Sequence, residues 1–221
     1  ATSAFTTVHI SCHGENDGEA TATPGGGVGG GVVGNYTYLW DDPNTQTTQV
    51  ATGLVAGAYT CIVTDANSCP MTSSSVTLNQ AASAINLSTS LTHVTGCNAQ
   101  STGEIALTVT GGTIATVYTY AWTTNGGNIP QGTDDEEDLA NLTAGTYTVV
   151  VTDDNNCTET VSVTINEPNA VSATSSQSDN NGYAVSCNGG NDGTATAVGA
   201  NGSGGYSYSW NATPNATLTA Q

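Results

Sequence analysis

Apolar and polar side chains alternate along most of the chain with a period of two residues. In residues 161–165, Val or Ile stands at every second position and is separated from the next by Ser or Thr. Residues 105–109 and 147–151 follow a similar pattern. This spacing predicts β-strands, because alternate side chains of a strand point to opposite faces. Gly, Asn and Asp clusters separate the strands, and no segment shows a sustained helical period.

Three motifs recur along the chain at intervals of about 82–90 residues. A Tyr-x-Tyr-x-Trp type of motif occupies residues 36–40, 118–122 and 206–210. Leu-x-x-Gly-x-Tyr occupies residues 54–59 and 142–147, and Val-Thr-Asp-x-Asn-x-Cys occupies residues 63–69 and 151–157. The recurrence predicts two complete repeats, residues 1–82 and 83–168, and a truncated third repeat, residues 169–221. Because the third repeat stops soon after its tryptophan, we expect the chain to belong to a longer array.

Each repeat holds roughly seven short strands in about 85 residues, which is typical of an immunoglobulin-like β-sandwich. We therefore predict an all-β fold of tandem immunoglobulin-like β-sandwich domains, two complete and one partial, arranged end to end. Trp40, Trp122 and Trp210 stand where a central strand places a core tryptophan. Tyr59 and Tyr147 close the Leu-x-x-Gly-x-Tyr motif and predict a tyrosine corner, in which the hydroxyl bonds to the backbone.

The chain has six cysteines, and disulfides in an extracellular protein are the favoured interpretation of them as a set. Zinc is a poorer interpretation, because no C-x2-C pair occurs. In each complete repeat one cysteine precedes the first core strand and one follows the Asp-x-Asn turn. This placement predicts the bonds Cys12–Cys69 and Cys97–Cys157. Each bond would close a loop of about 60 residues and stabilise its repeat by about 4 kcal/mol.

Two cysteines remain outside this pairing. Cys187 would find its partner beyond residue 221. Cys61 corresponds to the inward-facing Val149, which favours a buried thiol, and a bond to another chain or an alternative disulfide stays open. The first repeat has the small residues Ala20 and Ala22 at inward positions, so a covalent bond is expected to matter for its stability.

The chain has no Lys or Arg, 18 Asp plus Glu and three His, which gives a formal net charge of −18. Nucleic-acid binding is excluded, because Lys and Arg neutralise phosphate backbones. The glycine-rich residues 25–31 lack the lysine of a nucleotide-binding loop. No apolar run approaches the roughly 18 residues of a spanning helix, so no membrane insertion is expected.

Four segments together resemble a known family, the SprB repeat. They are C-x-G-x-N-D-G (residues 12–18), Y-x-Y-x-W (36–40), L-x-A-G-x-Y-x-x-x-V-T-D-x-N-x-C (54–69) and V-x-V-x-I-N-E-P (161–168). The resemblance implies a module arrayed in very large surface proteins of Bacteroidota-type bacteria, among them the mobile adhesin of gliding motility exported by type IX secretion. It implies an extracellular location on the bacterial cell surface and names no ligand. The second repeat departs from the pattern, with Ser101-Thr102-Gly103 in place of Asn-Asp-Gly.

Candidate catalytic groups are few. Paired carboxylates occur at residues 41–42, 153–154 and 134–138, and general acid–base chemistry uses such pairs. The run at 134–138 has no His, Ser or Cys at a plausible partner spacing and is interpreted as a solvated acidic loop. The three histidines lie near repeat starts, and the third repeat has none. We therefore predict that the chain is not an enzyme.

Calcium is the metal that the turn residues suggest, although the fold requires no cofactor. Asp17, Asp65, Asn67, Asp153 and Asn155 lie in turns that flank the predicted disulfides. Their oxygen atoms are ligands that calcium prefers. The same residue types also form turns without a metal.

The function predicted from these observations is a structural and adhesive repeat array, which forms a stalk or filament for surface attachment or gliding. The expected partners are neighbouring repeats, identical chains in a filament, and an unknown surface polysaccharide or substratum. One alternative is a self-assembling extracellular fibre or sheath subunit. Another is a spacer or carbohydrate-binding module of a secreted hydrolase. The row Tyr36, Tyr38 and Trp40 is predicted to exceed one small core, so that part of it is exposed and adhesive.

Overall fold

The computed structural model describes residues 2–26, 36–113 and 117–211. These ranges contain strands and turns but no helix, and therefore no helix that could cross a membrane. The strands are β1 (Thr2–Val8), β2 (Gly18–Gly25), β3 (Thr37–Trp40), β4 (Val50–Leu54), β5 (Gly57–Tyr59), β6 (Cys61–Thr64), β7 (Pro70–Thr72), β8 (Val76–Leu78), β9 (Asn86–Thr92), β10 (Gly103–Thr110), β11 (Thr119–Asn125), β12 (Leu139–Leu142), β13 (Gly145–Thr152), β14 (Thr158–Ile165), β15 (Ser172–Gln177) and β16 (Ala195–Ala200).

The strands of the first repeat form two three-stranded sheets and a separate two-stranded pair. One sheet has the order β1-β2-β4 and the other β3-β6-β7, while β5 pairs with β8. The antiparallel register places Phe5 opposite Ala22 in the first sheet and Trp40 opposite Cys61 in the second. These orders correspond to the A-B-E and C-F-G strands of an immunoglobulin-like sandwich.

The second repeat has the same two sheets, in the orders β9-β10-β12 and β11-β13-β14. Its strands β13 and β14 are continuous. In the first repeat the counterpart of β13 is interrupted at Thr60, between β5 and β6, and the counterpart of β14 is interrupted at residues 73–75, between β7 and β8. The Ser73 amide donates to the Cys61 carbonyl, and the Ser73 hydroxyl accepts from the Cys61 amide, both at 2.9 Å. In the third repeat β15 and β16 form an antiparallel pair. The predicted all-β, tandem immunoglobulin-like fold is confirmed.

Contact density divides the chain into two compact units whose limits differ from those of the repeats. The first unit comprises Ala1–Thr89, Leu107–Ala121 and Val149–Val161. The second comprises Ser90–Ala106, Trp122–Thr148 and Ser162–Gln221. The repeat boundaries after residues 82 and 168 are a property of the sequence and stay a prediction as domain boundaries.

Aromatic side chains fill the core of the first repeat. Tyr36, Tyr38 and Trp40 are only 6, 8 and 1 % exposed, and they belong to one buried cluster with Ala20 and Ala22. The prediction that this row is partly exposed is therefore wrong for the first repeat. The small alanine side chains in this cluster leave the volume that the three rings occupy.

The second repeat reaches the same burial with aliphatic side chains. Its core consists of Trp122 and Tyr147 together with Ile105, Leu107, Leu139, Leu142, Val149, Val151 and Ile165. Tyr118 and Tyr120, the counterparts of Tyr36 and Tyr38, are only half-buried. Ring burial therefore decreases where the inward positions of the neighbouring strand change from Ala to Ile and Leu.

Candidate functional site: the cysteine turns

The first cysteine of each repeat opens a turn of the same form. In every copy the backbone amide three residues later donates to the cysteine carbonyl. These bonds run from Glu15 to Cys12 at 3.2 Å, from Gln100 to Cys97 at 3.4 Å and from Gly190 to Cys187 at 2.9 Å. We call this element, residues 12–15, 97–100 and 187–190, the first cysteine turn.

A side chain five residues after each cysteine ties the first cysteine turn to the residues before it. Asp17 accepts hydrogen bonds from the hydroxyl and the amide of Ser11, and both bonds lower the pKa of Asp17. Asp192 accepts the equivalent amide bond in the third repeat at 3.0 Å. In the second repeat the Thr102 hydroxyl accepts from the Thr95 amide at 2.9 Å. Threonine at this position thus also bonds to the backbone before the cysteine, although its partner lies one residue further upstream than the partner of the aspartate.

The second cysteine turn spans residues 65–69 and 153–157. In each copy one carboxylate oxygen of the aspartate accepts from the amides two and four residues later. The distances are 3.0 Å for both bonds to Asp65 and 2.9 Å for both bonds to Asp153. The residue before the cysteine has a φ of 62° in one copy and 64° in the other. The cysteine that closes each turn therefore has the same backbone surroundings in both copies.

A disulfide joins Cys12 to Cys157, with the two Cα atoms 5.6 Å apart. It connects the first cysteine turn of the first repeat to the second cysteine turn of the second repeat, and both residues lie in the first compact unit. Beside this bond the side-chain amide of Asn155 donates to the Ser11 carbonyl at 3.0 Å. The hydrogen bond holds the two turns against each other next to the sulfur atoms.

The predicted bonds Cys12–Cys69 and Cys97–Cys157 are therefore wrong in the structure. Cys69 and Cys97 are exposed free thiols. Motif spacing identifies which cysteines are equivalent, but it does not identify the copy of the turn that lies beside each one. In the structure the second cysteine turn of the second repeat lies beside Cys12, where Asn155 contacts Ser11, 144 positions away in the sequence.

The remaining two cysteines differ in their surroundings. Cys61 is fully buried and carries a free thiol, and burial raises its pKa. Because the thiolate is the reactive form, a buried thiol with a raised pKa is chemically inert at neutral pH. Cys187 is exposed and free. Its partner beyond residue 221 stays a prediction.

The five residues considered for calcium all take part in hydrogen bonds of the cysteine turns. Asp153, for example, also accepts from the Thr113 amide at 2.8 Å. Across residues 2–26, 36–113 and 117–211, no three His, Cys, Asp or Glu side chains are grouped so as to hold a metal ion. Calcium binding stays a prediction, and a melting scan with and without a chelator checks it. Calcium binding predicts a lower Tm with the chelator, and an unchanged Tm would exclude it.

The adjacent carboxylates of Asp41 and Asp42 organise two loops. Asp41 accepts from the amide and the hydroxyl of Thr60, both at 2.8 Å. Asp42 is only 2 % exposed and accepts from the Gln46 amide at 2.8 Å, the Gln46 side chain at 3.0 Å and the Asn44 amide at 3.0 Å. Burial raises the pKa of Asp42, but the bonds from Gln46 and Asn44 outweigh it and hold the pKa below its ordinary value.

Replacing Asp42 by asparagine should destabilise the first repeat by about 1–3 kcal/mol at pH 7, because charge-assisted hydrogen bonds are lost. The pKa of Asp42 is lower in the folded than in the unfolded chain. Its stabilising effect is therefore present above the unfolded pKa and is lost as pH falls through the folded pKa. Melting curves at pH 7 and about pH 2 should show the Tm gap between wild type and variant closing.

The exposed Asp135 provides the matched control for this prediction. Asp135→Asn should leave Tm nearly unchanged at both pH values, because a solvated surface carboxylate contributes little. A Tm gap for Asp42→Asn that is as wide at low pH as at pH 7 would contradict the assigned role of the carboxylate.

The two tyrosines of the Leu-x-x-Gly-x-Tyr motif bond to the carbonyl four residues upstream. Tyr59 donates to Val55 at 3.0 Å, and Tyr147 donates to Thr143 at 2.7 Å. Tyr147 also accepts from the Asn128 amide at 3.1 Å. Each hydroxyl ties a loop to the strand that follows, which is the geometry of a tyrosine corner.

The tryptophans bond to loop carbonyls that the sequence did not reveal. The Trp40 indole donates to the Thr48 carbonyl, and the Trp122 indole donates to the Glu136 carbonyl, each at 2.9 Å. The acidic run at 134–138 therefore supports the core through its backbone. A buried indole N–H normally has a hydrogen-bond partner, so a tryptophan predicted to lie in the core is itself a signal that such an acceptor exists. Trp210 is half-buried.

The sheet orders, the tyrosine corners and the disulfide define a class of protein. It consists of tandem immunoglobulin-like β-sandwich repeats, of which the first and second are cross-linked by a disulfide. The SprB repeat model matches three regions of the chain, residues 4–45, 95–127 and 185–215. Each region contains one first cysteine turn and one aromatic motif ending in Trp. The chain carries SprB repeats, as its motifs predict. It is a repeat region of a cell-surface, adhesin-like protein.

Two solved structures have weak similarity to the chain. The three N-terminal domains of the bacteriophage RB49 highly immunogenic outer capsid protein share 16% identity over 90% of this chain and 69% of that chain, with a TM-score of 0.39. Extracellular domains 3–5 of Drosophila OTK share 15% identity over 75% of this chain and 56% of that chain, with a TM-score of 0.33. At these TM-scores the similarities carry no argument about function. A search of the curated proteins found no significant match.

Proposed function

We propose that the chain is a structural and adhesive segment of a very large secreted bacterial surface protein. Its repeats form a stalk or filament for surface attachment or gliding, after export by type IX secretion. The observation that carries the proposal is the tandem arrangement of three SprB-matched regions, together with the Cys12–Cys157 bond between the first and second repeats. No catalytic step is part of this function.

Composition supports an exposed, extracellular role. The chain has no Lys or Arg, so a trypsin-like protease finds no cleavage site in it. Its formal net charge of −18 favours solubility and disfavours association with anionic surfaces. A disulfide persists in an oxidising, extracellular environment.

Deletion of the segment from the producing bacterium tests the proposal. Antibodies raised against residues 1–221 should label the surface of intact wild-type cells, and the deletion strain should lose attachment or gliding. A strain that carries the Asp135→Asn variant is the matched control, because this side chain is exposed and its replacement should leave the stability of the chain nearly unchanged. Labelling confined to the cell interior, or unchanged attachment and gliding in the deletion strain, would contradict the proposal.

A second candidate function is carbohydrate binding by the third repeat. Tyr206 and Tyr208 are 41 and 36 % exposed, and an open groove of about 340 Å³ is lined by Tyr208, Trp210, Ala173 and Thr174 among others. Exposed aromatic rings are the surface that a carbohydrate-binding module uses. The counterparts in the first repeat, Tyr36 and Tyr38, are buried, so this function would be confined to one copy. Retention of the chain on insoluble cellulose or chitin, lost in Tyr208→Ala, checks it.

Lateral assembly into a fibre is the other alternative. The edge strands contain no lysine, the residue that usually guards sheet edges. Sedimentation of the chain at increasing concentration separates the two outcomes. A monodisperse monomer at high concentration would count against a self-assembling fibre subunit.

A further inference from the structure

The exposed thiols of Cys69 and Cys97 stand in contrast to their bonded equivalents. Cys97 occupies the position of Cys12 in the first cysteine turn, and Cys69 occupies the position of Cys157 in the second cysteine turn. One member of each equivalent pair is in a disulfide, and the other is an exposed free thiol. Because the equivalent turns have the same local structure, the turn itself does not determine whether its cysteine is bonded. The difference lies in which other turn is next to it.

We propose that Cys12–Cys157 is one link of a disulfide ladder that runs through the whole array. In this ladder the first cysteine of every repeat bonds to the second cysteine of the following repeat. Cys97 is then the half-link to the repeat that follows the second repeat, and Cys69 is the half-link to the repeat that precedes the first. The occupant of each site is another SprB repeat of the same array.

The local geometry supports equal reactivity of the equivalent cysteines. The turn at Cys97 has the same carbonyl-to-amide bond as the turn at Cys12. The turn at Cys69 has the same aspartate bonds as the turn at Cys157. Each free thiol is thus held in the backbone conformation that its bonded equivalent has in the Cys12–Cys157 link.

The hydrogen bond beside the link can also be repeated. In the observed link the Asn155 side chain donates to the Ser11 carbonyl, which directly precedes Cys12. Asn67 holds the position of Asn155 in the first repeat, and the Gly96 carbonyl holds the position of the Ser11 carbonyl in the second repeat. A backbone carbonyl serves here whatever the side chain, so the change from Ser to Gly preserves the contact.

Pairing within one repeat is disfavoured by the same structure. Cys12 and Cys157 are already bonded, so Cys69 and Cys97 cannot form the bonds Cys12–Cys69 and Cys97–Cys157. In a longer array, the cysteines of neighbouring repeats are then the available partners for Cys69 and Cys97. The ladder therefore rests on the proposed array, in which a repeat stands on either side of each link.

Formation of each link is a two-electron oxidation. Two thiols lose two protons and two electrons, and one S–S bond forms. The electrons pass to a disulfide-bearing oxidant, either a dithiol oxidoreductase of the cell envelope or oxidised glutathione in the test tube. With glutathione the oxidant is reduced to two molecules of its thiol form, so atoms and electrons balance.

A tandem protein tests the ladder directly. Residues 1–168 are followed, without a linker, by the complete chain 1–221, so that the second repeat of the first copy precedes the first repeat of the second copy. In the test variant Cys69 of the first copy and Cys97 of the second copy are changed to Ser. The remaining Cys97 of the first copy and Cys69 of the second copy are then the pair that the ladder predicts to bond across the junction.

The matched control carries the reverse pair of substitutions, Cys97→Ser in the first copy and Cys69→Ser in the second. It has the same composition, but its two remaining thiols lie away from the junction. After incubation with glutathione redox buffer, the test variant should lose one pair of alkylatable thiols relative to the control. Mass spectrometry after chymotrypsin and glutamyl endopeptidase should find a Cys97–Cys69 peptide in the test variant alone.

Two outcomes would overturn the ladder. In the first, Cys97 and Cys69 stay alkylatable in the test variant although Cys12–Cys157 has formed in both copies. In the second, the linked peptide forms equally in both variants, which would indicate random oxidation of exposed thiols. Neither outcome touches attachment or surface labelling, so failure of the ladder and failure of the proposed surface function are distinguishable.

Discussion

Replacing Cys12 and Cys157 together by serine should lower the free energy of unfolding by about 5 kcal/mol. The bond joins residues separated by 145 positions, and it removes a large part of the conformational freedom of the unfolded chain. A disulfide within one repeat would close a shorter loop, so its contribution to the free energy of unfolding would be smaller, about 4 kcal/mol. Equilibrium unfolding in guanidinium chloride, followed by tryptophan fluorescence, measures the change in the transition midpoint.

The control for this prediction is the double variant Cys69→Ser with Cys97→Ser. These two residues are the equivalents of the bonded pair, and they are exposed and unbonded. Their replacement should shift the free energy of unfolding of the 221-residue chain by no more than about 0.5 kcal/mol. Equal losses in the two double variants would contradict the assigned connection between the repeats.

The Trp40→Ala variant should lose about 3–5 kcal/mol of stability, the second largest effect that we expect. Trp40 is 1 % exposed, and its ring centroid lies 5.7 Å from that of Phe5. Alanine would leave a cavity in a core whose facing residues are already small. It would also leave the Thr48 carbonyl without the indole donor that bonds to it at 2.9 Å.

Leu39 offers the matched control on the same strand. It is 44 % exposed, and its side chain points away from the buried face that Trp40 occupies. Leu39→Ala should therefore change the free energy of unfolding by about 0.5 kcal/mol or less. Far-ultraviolet circular dichroism during thermal melting is the measurement of choice, because the variant removes a fluorophore. Comparable losses for the two variants would show that Trp40 is not the centre of this core.

Features that depend on neighbouring residues could be predicted from the sequence. Alternation along β14 reflects burial of one face, and burial is what the period of two reports. The tyrosine corners could also be predicted from the sequence, because Tyr59 and Tyr147 bond to carbonyls only four residues away. Because the repeats share these motifs, a structural prediction made for one repeat also applies to the matching residues of the next.

Features that depend on contacts between distant segments could not be predicted in the same way. The partner of Cys12 depends on which second cysteine turn lies beside it, and both copies have the same motif. Burial of Tyr36 and Tyr38 depends on the space left by Ala20 and Ala22, which lie on another strand. Counting residues shows that Ala20 corresponds to Ile105. It does not show that the smaller alanine side chain leaves room for the rings of Tyr36 and Tyr38 in the core.

The Cys12–Cys157 bond has a consequence for how the chain responds to a pulling force applied at its ends. Tension passes through the disulfide and bypasses the residues between the two sulfurs, even after the sandwiches in that stretch have unfolded. A separation of 145 residues corresponds to about 500 Å of fully extended backbone that cannot be drawn out. The extensibility of such a chain is therefore set by the redox state of a few thiols, and a reducing agent would lengthen it.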